Sequence, residues 1–164
     1  MIGDTTRLLV VIASMLLILL PSLSERLLSI KLPDGTKMAV AIALLFHVAG
    51  GINQYYWIYA PYYDKIAHCI SGFALGLVLF SFFLYLAGKG IRMPLSNVYA
   101  GIILLVFCFG VFWEIIELSI DALIGSTYNL GVVDTFFDMA GNTLGSLGAV
   151  FYAKYVMQSM PSNI

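Results

Sequence analysis

Five carboxylates lie within two segments of this chain that are otherwise apolar enough to span a bilayer. Glu114, Glu117 and Asp121 belong to the first segment, and Asp134 and Asp138 open the second. Because an ionisable side chain inside a membrane is costly, such residues usually mark a functional site. Acids brought together in an apolar setting can relay protons, bind a cation, or hold a metal ion that takes part in catalysis.

A third polar group begins the apolar segment that precedes these two, and it adds a cation and an imidazole. Asp64, Lys65 and His68 all fall within its first turns. In each of the three segments the polar residues repeat at helical spacing, for example i and i+4 for Asp64 and His68, so each set lies on one helix face. With alternating helix directions, all three sets fall at the same membrane depth, and we expect one acidic pocket.

The residue types in this pocket predict a site for a divalent ion. Carboxylate, amide and imidazole ligands suit Mg²⁺, Mn²⁺ or Ca²⁺, and also Zn²⁺. The predicted metal ligands are Glu114, Glu117, Asp134 and Asp138. The predicted catalytic residues are His68, Lys65 and Asp64, and the predicted substrate-binding residues are Asn142, Asp121 and Tyr63. Plainer interpretations remain open: Asp64 as a helix cap, Asp121 and Asp134 as solvated loop residues, and the deeper groups as a structural hydrogen-bond network.

The composition places these residues in an integral membrane protein. The chain has 164 residues, of which 61% are hydrophobic and 10% charged, and its mean hydropathy is +0.96. Soluble domains carry about one quarter charged residues. The net charge of −1 argues against a nucleic-acid partner, so membrane lipid is the expected one.

The apolar pattern predicts an all-α, polytopic bundle of about five transmembrane helices in a single domain, residues 1–164. The predicted spans are approximately 8–23, 38–59, 66–87, 98–120 and 132–155. The first could instead be a signal peptide that ends at Ser22-Leu23-Ser24, although we expect a retained helix. Six lysines and arginines fall on one side of these spans, against Arg7 and Lys65 on the other. This distribution predicts a cytoplasmic C-terminus, with the N-terminus and the acidic pocket outside.

Small residues share the polar faces of the third and fifth predicted spans. Gly72 and Gly76 repeat at i and i+4 in one, and Gly141 and Gly145 in the other. Such faces let membrane helices approach closely, so we expect these two helices to touch.

Three sequence blocks resemble the YjdF-like family of small membrane proteins and, more distantly, VanZ-like proteins, which are associated with resistance to a glycopeptide antibiotic. The blocks are Tyr63-Asp64-Lys65-Ile66-Ala67-His68 with Gly72, Trp113-Glu114-Ile115-Ile116-Glu117, and Gly125-Ser126-Thr127 followed by Val133-Asp134-Thr135 and Asp138-Met139. Gly50-Gly51 and Tyr55 add to the resemblance. The resemblance covers roughly residues 45–150. It implies a multi-helix membrane protein without an established activity, and it suggests cell-envelope chemistry by analogy.

Together these features favour a metal-dependent membrane enzyme that acts on a lipid or a lipid-linked phosphate. The alternatives are a cation or proton transporter, and a structural or accessory membrane protein whose polar network fixes the packing of its helices.

Overall fold

The computed structural model describes residues 4–159, except for the side chains of residues 4–7, 9, 10, 124 and 159. The predicted domain, residues 1–164, therefore reaches beyond the described residues. The Arg7 side chain, which was used to predict the orientation, also lies outside them. Within it the chain is helical and contains no strand. The helices are α1 (Asp4–Leu17), α2 (Leu20–Leu28), α3 (Thr36–Ile52), α4 (Tyr55–Ile58), α5 (Tyr62–Gly88), α6 (Leu95–Ile124) and α7 (Val132–Ser159).

Three helical segments of the described part are long and apolar enough to cross a membrane: Val11–Leu28, Tyr62–Gly88 and Leu95–Leu123. The helix α3 is apolar but has only 17 residues, about 26 Å at 1.5 Å per residue, and a hydrocarbon core is about 30 Å thick. The helix α7 has 28 residues but carries two acids in its first two turns. The structure therefore supports a helical membrane bundle, whereas the count of five spans stays a prediction.

The first predicted span is interrupted in the structure. The helix α1 ends at Leu17, and α2 begins at Leu20 with Pro21 in its first turn. Proline has no backbone N–H to donate, so it is tolerated at the start of a helix but disrupts a helix interior. The sequence between Asp4 and Leu28 consequently forms two consecutive helices.

The central contact of the bundle joins α5 and α7, which run parallel to each other. A Cβ atom on Gly72 would lie 2.5 Å from the carbonyl oxygen of Asn142, and one on Gly145 would collide with the backbone of Cys69. Further along, a Cβ atom on Gly76 would lie 2.5 Å from the Ala149 methyl group. The backbones are close enough that only glycine fits, which confirms the close approach predicted from the small-residue faces.

Two apolar clusters fill the half of the bundle remote from the start of α5. One joins α3, α5 and α7 through buried residues that include Ala43, Leu77 and Ala149. The other joins α5, α6 and α7 and is centred on Phe80 and Ile102. The buried acids, in contrast, lie near the start of α5, the start of α7 and the end of α6. Packing thus separates an apolar half of the bundle from a polar one.

Candidate functional site

The ammonium group of Lys65 binds three aspartates at the level where α5 and α7 begin. It lies 2.7 Å from Asp138 Oδ1 and 3.3 Å from Asp64 Oδ2, and it also contacts Asp134 Oδ1. The two helices are parallel and start at one level, so the first turns of both supply these groups. Lys65 was predicted to be a catalytic residue, and in the structure carboxylates of the chain itself surround its ammonium group.

His68 lies one turn deeper on α5 and is 3% exposed. Its Nδ1 atom is 3.1 Å from the side-chain amide nitrogen of Asn142. Its Nε2 atom is 3.5 Å from Asp64 Oδ1, 3.7 Å from Asp138 Oδ1 and 4.0 Å from Glu114 Oε1. A single imidazole nitrogen therefore faces three carboxylates that come from three helices.

Glu114 is oriented by hydrogen bonds to only one of its two oxygens. Its Oε2 atom accepts hydrogen bonds of 2.8 Å from the Asn129 amide and from the Thr135 hydroxyl. The side chain is 4% exposed, and Oε1 is the oxygen directed towards His68. Neither Asn129 nor Thr135 was among the predicted site residues. Thr135, which directly follows Asp134 in one of the sequence blocks, could have been suspected from that position.

Three buried polar atoms of this site have no hydrogen-bond partner among the described residues: His68 Nε2, Glu114 Oε1 and Asp138 Oδ2. Leaving such an atom unsatisfied typically costs about 1–3 kcal/mol. Ligand atoms of Asp64, His68 and Asp138 lie within 4.8 Å of one another. We call these three residues the Asp–His–Asp cluster. Two of the unsatisfied atoms belong to residues of the cluster, and the third, Glu114 Oε1, lies 4.0 Å from His68 Nε2. These side chains could therefore bind a cation or a proton.

The loop between α6 and α7 is folded over the site by two aspartates. Asp121 accepts hydrogen bonds from the Ser126 hydroxyl at 2.6 Å and from the backbone N–H groups of Tyr128 and Asn129, each at 2.9 Å. Asp134 Oδ2 accepts one from the backbone of the same loop at 3.0 Å. Burial, with the Asp121 carboxylate nearby, raises the pKa of Tyr128 above its ordinary value. Asp121 was predicted to bind substrate, and in the structure it shapes the loop.

Two other predicted site residues lie outside the Asp–His–Asp cluster. Glu117 accepts a hydrogen bond of 2.8 Å from the Trp113 indole on an exposed part of α6. The Tyr63 hydroxyl donates to the backbone carbonyl of Phe46 at 2.8 Å. Of the four predicted metal ligands, Asp138 belongs to the cluster, Glu114 borders it, and Asp134 pairs with Lys65.

A second buried network adjoins the site on the side of α3. The two ring nitrogens of His47 lie 2.6 Å from the Tyr56 hydroxyl and 2.8 Å from the Ser71 hydroxyl. Since both nitrogens already have partners, His47 has the contacts of a structural histidine.

No curated protein and no solved structure matches the chain. A family model described as "Predicted membrane protein (DUF2238)" matches residues 2–159. This match and the apolar helices agree with a multi-pass membrane protein, and the family description assigns no activity. The chain therefore belongs to this family of membrane proteins.

Proposed function

We propose that this chain is a metal-dependent membrane enzyme that acts on the phosphate of a lipid or a lipid-linked substrate. The observation that carries the proposal is that three buried polar atoms of the Asp–His–Asp cluster and the adjoining Glu114 have no hydrogen-bond partner among the described residues: His68 Nε2, Glu114 Oε1 and Asp138 Oδ2. Its metal ligands are Asp64, His68 and Asp138. Glu114 and Lys65 complete the site.

The distances within the cluster match those between ligands of one ion. Bonds from oxygen or nitrogen to Zn²⁺ or Mg²⁺ are about 2.0–2.2 Å, so two ligand atoms on one ion lie roughly 3–4 Å apart. His68 Nε2 is 3.5 Å from Asp64 Oδ1 and 3.7 Å from Asp138 Oδ1. The side chains therefore need little rearrangement to share an ion.

Asn142 controls which imidazole nitrogen is available to the ion. A metal bound at His68 Nε2 requires the ring proton at Nδ1. The Asn142 side-chain oxygen accepts a hydrogen bond from this Nδ1–H when the oxygen, rather than the nitrogen, of the amide faces Nδ1. This arrangement corresponds to a half-turn of the amide found 3.1 Å from the ring. Asn142 is therefore a positioning residue for the metal ligand.

The charge of the site also favours a divalent cation. Asp64, Asp134, Asp138 and Glu114 carry four formal negative charges, and Lys65 supplies one positive charge within contact distance of three of them. The remaining charge of −3 is unfavourable in a medium of low dielectric constant unless protons or a cation offset it. A divalent ion would reduce it to −1 without displacing the lysine.

The bound ion would polarise a phosphoryl oxygen or lower the pKa of a coordinated water. Glu114 Oε1, which faces His68 from the third helix, can accept a proton from the attacking water. Lys65 can turn from its aspartates to an anionic phosphate oxygen. The resemblance of the sequence blocks to YjdF-like and VanZ-like proteins is consistent with a cell-envelope substrate. The apolar clusters in the other half of the bundle favour this proposal over a transport pathway that crosses the membrane.

The first test is metal content, measured by elemental analysis of protein purified without chelator and titrated with Mn²⁺ and Zn²⁺. We expect about one ion per chain, and we expect Asp138→Asn and His68→Gln to lose it. Glu117→Gln is the matched control, because Glu117 is a neighbouring acid of α6 outside the cluster. A metal-free wild type that gains no thermal stability from divalent ions would contradict the metal site.

The second test is release of inorganic phosphate from a long-chain prenyl diphosphate and from phosphatidate in mixed micelles. We expect release by the wild type to require the metal, and Glu114→Gln to slow it while the metal stays bound. Stoichiometric metal binding without turnover of either substrate would leave a metal site but reject this substrate class.

A further inference from the structure

At the end of the bundle opposite the acidic site, a separate cavity presents two lysines. Its volume is about 370 Å³, within the range of small-molecule sites. Its lining comes from the α2–α3 connection and from the last two turns of α5, and it includes Ser29, Lys31, Ser81, Tyr85 and Lys89. We propose that this cavity binds the phosphate headgroup of an anionic phospholipid.

The charge of the cavity carries the first part of the argument. No aspartate or glutamate lines it, and among the described residues neither Lys31 nor Lys89 forms an ion pair. Lys37 and Lys65, in contrast, are neutralised by carboxylates of the chain. The Lys89 ammonium lies 5.5 Å from the centre of the Tyr85 ring, which holds it at the wall of the cavity. Two unpaired cations from distant parts of the sequence thus meet at one cavity.

The segment that carries Lys31 is fixed before any ligand binds. The backbone N–H of Ile30 donates to the carbonyl oxygen of Glu25 at 3.2 Å, and that of Leu32 donates to Glu25 Oε1 at 2.9 Å. Glu25 is in turn paired with Lys37. Since the residues on both sides of Lys31 are anchored, an anion would bind without ordering this loop.

The end of α5 does not compete for the lysines. The terminal carbonyl groups of a helix carry partial negative charge and attract cations. Here the carbonyls of Tyr85, Leu86 and Ala87 accept hydrogen bonds from the backbone N–H groups of residues 89–91. The helix end therefore does not hold either lysine, and the Glu25 carboxylate, which attracts Lys31 from a distance, is already paired with Lys37. In the predicted orientation this end faces the cytoplasm, where anionic lipid is concentrated and basic pockets between helices bind headgroups.

The test compares lipid binding by the purified full-length chain in detergent, using native mass spectrometry with phosphatidylglycerol and phosphatidylcholine of the same acyl chains. We expect tighter binding of phosphatidylglycerol by the wild type. In Lys31→Gln/Lys89→Gln we expect a loss of about 30-fold, because each lysine contributes on the order of fivefold to attraction of an anionic lipid. The Lys31→Arg/Lys89→Arg variant should retain binding.

Lys154→Gln is the matched control, because Lys154 is an exposed lysine at the same end of the bundle and does not line the cavity. A parallel titration with glycerol 1-phosphate separates a lipid from a soluble phosphate. Binding of glycerol 1-phosphate without binding of phosphatidylglycerol would overturn the lipid assignment. Equal phosphatidylglycerol binding by the wild type and the double glutamine variant, or an equal loss in Lys154→Gln, would overturn the site itself.

Discussion

Lys65→Gln is the substitution that examines the charge balance of the acidic site most directly. The change keeps most of the side-chain length but removes the cation that contacts Asp64, Asp134 and Asp138. Removing one partner of a buried ion pair typically costs about 3–5 kcal/mol. Asp138 is 1% exposed, but the lysine side chain is 20% exposed, so we expect the lower end, about 3 kcal/mol. At about 2–4 °C per kcal/mol for a chain of this size, the melting temperature should fall by about 6–12 °C.

The same variant separates a metal site from a purely structural network. Without the lysine, the three carboxylates depend on an external cation, so Mn²⁺ should stabilise Lys65→Gln more than it stabilises the wild type. An ion present at 100 times its dissociation constant contributes about 2.7 kcal/mol, which would restore most of the loss. Thermal unfolding in detergent, with and without Mn²⁺, measures both effects, and Lys154→Gln serves as the control. A melting temperature within about 2 °C of the wild type, which corresponds to a loss of about 1 kcal/mol or less, would refute the charge argument.

Three further predictions concern the packing, the orientation and the support of the site. Gly145→Ala should lower the melting temperature, because overpacking a tight contact costs about 1–3 kcal/mol. Gly51→Ala is the control and should be neutral or stabilising, because a Cβ added there meets nothing within 4 Å. Equal melting temperatures of the two variants would show that the α5–α7 contact is loose. Cysteines at Ser126 and Ser96, placed after both native cysteines are removed, should react with an impermeant thiol reagent from outside and inside respectively, and the reverse result would invert the orientation. Asn129→Ala should weaken metal binding by about tenfold, since groups that orient a metal ligand typically contribute this much. An unchanged affinity in a calorimetric titration would show that the α6–α7 loop does not support the metal site.

The position of the site could be predicted from the sequence because it depends on depth and helix face. Asp64, His68, Asp138 and Asn142 begin two helices that start at one level, and helical spacing alone puts each pair on one face. The structure brings His68 next to Asn142 and within 4 Å of both aspartates. Residues at the ends of parallel neighbouring helices are therefore the ones for which sequence reasoning is most informative.

The choice between Glu114 and Glu117 could not be made from the same pattern. The two acids are three residues apart, so they share one helix face, and helical spacing does not fix the rotation of α6 about its axis. In the structure Gly110 lies against Asn142 and Met139 of α7, where a Cβ would be 2.6–2.7 Å from their side chains. Glu114 lies one turn after Gly110 on the same face of α6, so this contact directs Glu114 towards α7. The sequence does not show that Gly110 packs against α7, and this contact decides whether Glu114 or Glu117 faces the site.

The number of spans was uncertain for a different physical reason. Apolar composition decides whether a helix can face lipid, but α7 packs one face against α5 and α6, and its buried Asp134 and Asp138 are shielded from lipid on that face. Hydropathy alone is therefore a weaker guide for α7, which supplies Asp134, Asp138 and Asn142 to the site. The short helix α3 presents the opposite case, since it carries no acid and is largely apolar but is about one turn shorter than a hydrocarbon core.

The glycine face that joins α5 and α7 also sets the geometry of the acidic site. A Cβ atom on Gly141 would lie 3.0 Å from the Lys65 carbonyl oxygen and 3.3 Å from the His68 Cβ, so this glycine lets α7 approach the two residues that organise the site. One turn earlier on α7, Asp138 reaches both the Lys65 ammonium and the imidazole. A wider spacing of these helices would move Asp138 away from Asp64 and leave the cluster too open for a single ion. The same glycines thus determine the packing of the two helices and the geometry of the site. The short backbone separation that leaves no room for side chains along the contact also brings Asp64, His68 and Asp138 together.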